Sequence, residues 1–360
     1  LKLLKPGGHL LAFSGSRTYH RMAVAIEDAG FEIRDMIEWV YGSGFPKSHN
    51  LALAIDKMEG ATGHRGKAIN IKGAGTRKDI QGIEKQAQNS EFYHKPYNEP
   101  LTENAKYWNG YGTALKPAHE PCVLARKPLE KGHTVATNAL KHGTGGLNID
   151  GSRVGTETMP AVKIKQSYGN GSDNHFGGGK PRGREVTTQE ATGRFPANLI
   201  HDGSDEVEAV FPQTKSGKIE PHHRKSNVYG GNSLLSSKTI NNSIASFGDS
   251  GSASRFFYTA KSSRAERNAG LDKPNTHPTL KPLSLTKYLA TLIKPPTGGR
   301  LLVPFSGSGS EMIGALQAGW EYVEGVELTE EYIPIAEARI KYWLEQKAEE
   351  DNKPKQESLL

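Results

Sequence analysis

The sequence predicts an α/β fold organised around a strand, turn, helix and second strand near its carboxyl end, on three observations. LLVPFSGSGSEM at 301–312 carries an apolar run straight into a Gly/Ser turn and then a helical pattern. That helix, Glu311 to Ala318, stops at Gly319. WEYVEGVEL then makes a second strand whose tip holds a carboxylate, Glu327, 18 positions past Gly309.

This is the layout of a nucleotide-type cofactor loop. Gly307 and Gly309 can take backbone angles closed to other residues, and without Cβ they let a ligand approach the main chain. The orphan N–H groups of the helix starting near Ser310 face the same spot. In dinucleotide and related folds an acidic residue about 20 positions past the glycines accepts from ribose hydroxyls, the place Glu327 occupies. A plain structural turn explains the glycines but not the carboxylate. No Gly-Lys-Ser/Thr follows the loop to grip a triphosphate, so the expected cofactor carries an adenosine and few phosphates.

The remaining elements follow in order. LKLLKPGG reads as the end of a helix with a Pro-Gly-Gly stop. A chain opening inside a helix, at Leu1 and not at Met, implies sequence missing before it. HLLAFS at 9–14 is a short strand, residues 18–29 are helical up to Gly30, and FEIRDMIEWVYG is another strand. Residues 43–119 read as an insertion, with a short helix at 51–58 and a basic, glycine-rich stretch holding Arg65, Lys67, Lys72, Arg77 and Lys78. EPCVLARKP at 120–128 is strand-like and is expected to pair antiparallel with 31–42, the insertion acting as a long hairpin connection, and residues 1–128 are expected to be the C-terminal part of a catalytic half.

Residues 129–275 change character, holding 20 of the 41 glycines and little sustained periodicity. YGNGSDNHFGGGKPRGRE and PHHRKSNVYGGNS are cationic and glycine-rich, with Tyr168, Phe176 and Tyr229 interleaved. Two readings stand side by side: a solvated loop region, or a groove lining for nucleic-acid backbone and bases. A cofactor-binding half spans 276–346, with helices at 284–293 and 329–343, and 347–360 is a charged tail expected to fray.

Composition bounds the partners. A 360-residue chain with 35% hydrophobic residues and a mean hydropathy of −0.60 has room for two domains and much polar surface. Its net charge of +7 leans modestly towards a polyanion. One cysteine, Cys122, excludes an internal disulfide framework, and no Cys/His cluster has zinc spacing, so no metal is expected. The absence of a membrane-length apolar stretch or signal pattern points to the cytoplasm.

The cofactor loop, HPTLKP at 277–282 and the cationic region before both resemble the DNA amino-methyltransferases that modify adenine N6 or cytosine N4. More narrowly, the chain is similar to the circularly ordered class, with the cofactor motif last. LKPGGHLLAFSGSRTYHR, WVYGSGFPKS, ALKPAHEPCVLARKP and RFPANLIHDGS resemble segments of phage and prophage members, and the likeness covers most of the chain. It implies a Rossmann-like sheet that binds S-adenosylmethionine across the carboxyl ends of its strands. Phe305, Gly307, Ser308 and Gly309 would line the methionine and adenosine, and Glu327 would hold the ribose. Thr279, Lys281 and Pro282 belong to a separate cofactor motif in which Lys281 would neutralise the methionine carboxylate. The region 129–275 would be the target-recognition region on double-stranded DNA in a bacterial or phage-infected cell. Arg182, Arg184, Arg224 and Lys225 are candidates there, with a solvated charged face as the competing reading for each. Arg17 and Lys47, which follow strand ends, are better placed for phosphates.

Two departures matter. Val303 precedes Pro304 and Phe305 where the family usually has Asp-Pro-Phe. The catalytic signature, Asp/Asn/Ser-Pro-Pro-Tyr/Phe, occurs nowhere in the 360 residues, so no catalytic residue is assigned. In the family order 3-2-1-4-5-7-6 the signature sits on central strand 4, between the strands at 300–305 and 9–14. The expectation is an N-terminally incomplete enzyme, inactive as it stands, whose sheet lacks that strand and leaves unpaired backbone on either side. The expected activity of the whole enzyme is methyl transfer to adenine N6. Cytosine N4, a non-catalytic DNA-binding remnant, and an RNA or protein methyltransferase are the alternatives.

Overall fold

A computed structural model describes residues 1–44, 48–61, 99–159, 163–166, 184–187, 191–216, 249–261 and 263–352. The chain divides into two compact units, Leu1–Ser43 with Ala118–Leu360, and Gly44–Pro117. The larger is an α/β unit, and the expected class is the observed one.

Its main sheet is ordered β1 (His9–Phe13), β3 (His119–Arg126), β2 (Glu32–Val40), β8 (Leu199–His201), β11 (Tyr258–Thr259). β3 runs antiparallel to both neighbours, with Phe13 opposite Cys122 and Ile37 opposite Cys122 on its other side. β2, β8 and β11 are mutually parallel. The alternation of β3 explains its central place: Cys122 and Leu124 face one side, Val123 and Ala125 the other, and all four are buried. On the first side they pack with Ile37, Ile200 and Ala260 against Leu285, Tyr288, Leu289 and Leu292 of a later helix. On the second they meet Ile26 of α1 (Tyr19–Asp28) and Phe31.

The residues expected to be least regular contribute β8 and β11 to this sheet, together with α4 (Val135–His142) and hairpins β4 (Val154–Met159) with β7 (Ala191–Arg194), β5 (Lys163–Gln166) with β6 (Arg184–Thr187), and β9 (Gln213–Ser216) with β10 (Asp249–Ser252). Short helices α5 (Asp205–Glu208) and α6 (Arg264–Asn268) complete it.

The cofactor half follows. α7 (Leu283–Leu292) lies on the main sheet with one face and against α8 (Ser310–Gln317) with another. Thr286 Oγ1 donates to the Ser310 carbonyl at 3.0 Å, and a Cβ on Gly314 would come 2.6 Å from the Lys287 nitrogen, so only glycine admits this approach. α8 connects β12 (Arg300–Val303) to β13 (Tyr322–Gly325), a parallel pair. That pair is a separate sheet: among the described residues no strand joins the free edge of β12 to the free edge of β1. The chain ends in α9 (Ile333–Asn352).

Three sequence expectations are corrected. Leu1–Gly8 form turns, with Leu4 N–H to Leu1 O and Gly8 N–H to Lys5 O, and not the last turn of a helix: Pro6 offers no N–H and Gly7 takes a φ of 78°. β13 stops at Gly325, two residues before Glu327. The last helix starts at Ile333 after a 3-10 turn at Glu330–Tyr332 and continues to Asn352, through the start of the stretch expected to fray. Among the described residues no helix is long and apolar enough to cross a membrane.

The smaller unit holds α2 (Leu51–Met58), capped by the Asn50 side chain, and α3 (Glu103–Tyr107), capped by Thr102. Buried Asp56 accepts from the Leu101 and Thr102 N–H groups, each at 2.9 Å, and ties the two helices together. The basic stretch of Arg65 to Lys78 lies outside the described residues.

Candidate cofactor site

The turn after β12 is shaped by two left-handed glycines, Gly307 at φ 51° and Gly309 at φ 82°. Gly309 is the N-cap of α8, and its N–H closes back on the Ser306 carbonyl at 2.8 Å. The first turn of α8 therefore points its N–H groups at the space above the loop. Phe305 stands at the rim, 89% exposed, while Ser306, Ser308 and Ser310 are buried.

Glu327 closes the site from two residues past the end of β13. One oxygen accepts the Gly307 N–H at 2.7 Å and the other the Thr329 N–H at 2.9 Å. Those bonds, the Thr329 one foremost, hold the carboxyl below its ordinary range, so it is a carboxylate at neutral pH. Next to it sits His277, whose Nε2 would lie 2.7 Å from a Cβ placed on Gly307, and whose ring meets Tyr332 edge-on at 4.7 Å. Burial lowers the His277 pKa, which leaves the imidazole neutral at pH 7.

His277 opens the HPTLKP segment, and its placement is built from both ends. The Asn275 side chain accepts the His277 N–H at 3.0 Å, and Arg267 donates to the His277 carbonyl at 2.9 Å. Thr279 is exposed, and buried Pro282 is the N-cap of α7. Lys281 reaches the main sheet: its ammonium pairs with Glu120 of β3 at 2.5 Å and lies 4.9 Å above the Phe13 ring at the carboxyl end of β1. That amine is thus already partnered by a carboxylate.

The donor set suits an adenosine-bearing cofactor. Backbone N–H groups and a neutral imidazole surround the loop, and two positive-φ glycines keep Cβ atoms out of it. The Glu327 carboxylate lies beside the loop as an acceptor for hydroxyls. Among the described residues no cluster could hold a metal ion.

Two residues were not foreseen. Arg339, fully buried on α9, donates from Nη1 to the Ser308 carbonyl at 2.6 Å and to the Ser308 and Ser310 hydroxyls at 3.1 Å each. Its signal was a charge inside the apolar stripe Ile333, Ala336, Ile340. His277 was visible only as part of a motif.

Of the expected DNA contacts, Arg17 is exposed in the turn between β1 and α1, and Arg184 lies in β6. Lys47, Arg182, Arg224, Lys225, Tyr168, Phe176 and Tyr229 lie outside the described residues.

The chain is similar to several known proteins. The type II methyltransferase M.HindIII of Haemophilus influenzae is 24% identical over 148 residues, 41% of this chain and 35% of that one. The chain thus spans about a third of that curated relative's length. Crystal structures of an M1.HpyAVI–SAM complex and of M1.HpyAVI align over 94% of this chain and 76% of theirs, at 13% and 12% identity and TM-scores of 0.34 and 0.33. The family model described as DNA methylase, N6/N4 type, matches residues 1–338 of the 360, and on that match the chain belongs to the DNA methylase family.

Proposed function

We propose that this chain is the donor-binding and DNA-recognition part of an S-adenosylmethionine-dependent methyltransferase acting on an exocyclic base amine in double-stranded DNA, with adenine N6 as the target. The observation that carries the reading is the Gly307–Glu327 bond, which sets a hydroxyl-accepting carboxylate beside a glycine loop at the start of α8. Membership of the DNA methylase family supports DNA as substrate, and the curated relative M.HindIII is a type II methyltransferase.

Bound there, S-adenosylmethionine supplies an electrophilic sulfonium methyl. The protein's share is positioning. Glu327 accepts from the ribose, the loop N–H groups and Phe305 hold the adenosine and methionine, and His277 with Tyr332 walls one side. An exocyclic amine is a poor nucleophile because its lone pair is delocalised into the ring. A base flipped from the duplex must therefore be stacked and its amine hydrogens accepted by oxygen. The strand expected to provide that oxygen carries a signature this chain lacks. Among the described residues the edges of β12 and β1 are unpaired, such a strand fits there, and without it residues 1–360 turn over little.

The test uses labelled S-adenosylmethionine and a version of the chain supplied with an Asp-Pro-Pro-Tyr strand. Label recovered as N6-methyladenine from duplex DNA supports the reading. Recovery as N4-methylcytosine corrects the target, and label on RNA alone refutes the substrate class. Turnover by residues 1–360 as fast as by the supplemented chain refutes the missing-strand account.

A further inference from the structure

We propose that Arg339 is a positioning residue for the loop Ser306–Ser310, holding it from beneath in the shape that receives a ligand. The ligand part of this inference rests on the reading of the loop as the methyl-donor site.

The geometry is specific to one peptide unit. Between Ser308 and Gly309 the carbonyl is taken by Arg339 Nη1 at 2.6 Å, and the N–H is taken by the Ser306 carbonyl at 2.8 Å. With both ends tied, the plane of that peptide cannot rotate. Gly309 must then turn through φ 82° to start α8, which fixes where the following N–H groups point. The same Nη1 also reaches the hydroxyls on either side of Gly309, Ser308 and Ser310. Two hydrogens are thereby shared among three oxygens of one turn. The contact is close as well as polar: a Cβ on Gly309 would lie 3.3 Å from Ala336 Cβ and Ile340 Cδ1, so three residues of α9 form the floor of the loop.

A side chain that merely filled this space would be apolar. Burying a guanidinium completely is costly unless it is paired and hydrogen-bonded. Arg339 is fully buried, yet among the described residues its three hydrogen-bond acceptors are all uncharged and all belong to the loop. Nε and Nη2 have no hydrogen-bond partner among the described residues. Glu266 and Glu311 act on the guanidinium through space in favour of its charge and Arg267 against it, while burial raises the pKa of both carboxyls. Glu311 is itself the second residue of α8, so the buried charge and the helix start are coupled electrostatically as well as by hydrogen bonds.

The test measures amide hydrogen exchange of residues 1–360 without ligand, alongside calorimetric titration with S-adenosylmethionine. Arg339→Gln should speed exchange of peptides covering 304–312 about tenfold, with β1–β3 unchanged. It should also weaken cofactor binding about tenfold, and Arg339→Lys should restore most of both because an ammonium can still serve the same oxygens. Should Arg339→Gln not fold, Ser308→Ala with Ser310→Ala leaves α9 intact and should raise loop exchange by a smaller factor. Unchanged loop exchange in the Arg339→Gln and paired serine variants overturns the proposal, as does equal acceleration throughout the sheet. Faster loop exchange in a protein that shows no cofactor binding even unsubstituted upholds the role of Arg339 and removes the methyl-donor reading.

Discussion

The Glu327 carboxylate accepts the Gly307 N–H at 2.7 Å, joining the segment after β13 to the turn after β12 across 20 residues of chain. A ribose hydroxyl offered to Glu327 therefore meets an acceptor already aligned on the loop backbone, and the loop and the acidic residue act as one unit. Glu327→Gln is predicted to weaken cofactor affinity about tenfold, read by titration calorimetry, because an amide is a poorer acceptor for both the N–H and the hydroxyls. The pH dependence has a definite sign. Folding depresses the Glu327 pKa, so its contribution is present above the ordinary carboxylate range and is lost as the pH falls through the lowered value.

Gly309→Ala and Gly307→Ala test the loop backbone separately. At φ 82° and 51° an L side chain costs about 1–2 kcal/mol. At 307 the new methyl would also press on His277, and at 309 on Ala336 and Ile340. Both variants are expected to melt at lower temperature and to lose cofactor binding. Retention of full affinity by Gly309→Ala would show that the observed turn is not the binding conformation.

Glu130 provides an acid-sensitive staple on α4. It accepts from Lys141 at 2.6 Å and lies 2.5 Å from His142 Nε2, and these partners lower its pKa from 4.5 to about 2. Its stabilisation is complete above about pH 4.5 and drains away as the pH falls towards about 2. Glu130→Gln should lower the stability at neutral pH, measured by urea unfolding, with the difference from the parent vanishing at the acid end. A difference that persists below pH 2 would mean the pair contributes through packing instead.

Cys122 sits at the centre of β3, fully buried, and desolvation pushes its thiol up to about 12. The native protein should leave it unmodified by maleimide over hours, and denaturant should expose it. Rapid labelling of the folded protein would place β3 nearer an edge than the sheet order shows.

The sequence disclosed those parts whose cause is local. The strand, turn and helix from 300 to 318 could be read because an apolar run, two glycines and a helical period are adjacent, and β2 and β3 because each is a run of eight residues or more with several apolar side chains. β8 and β11 could not, since strands of three and two residues carry no period and join the sheet only by pairing with distant partners. The same limit hid the partners of Lys281 and Arg339. Glu120 is 161 residues from Lys281, and the Ser308 carbonyl 31 from Arg339, and no spacing rule spans such distances. Among the described residues β12 with β13 and the sheet that ends in β1 are two separate sheets.

Titration of residues 1–360 with S-adenosylmethionine, run side by side for the unsubstituted chain and Glu327→Gln, tests the central claim most directly. The account predicts saturable binding at one site that the substitution weakens about tenfold. Absence of saturable binding in the unsubstituted chain, or equal affinity in the two, would contradict it.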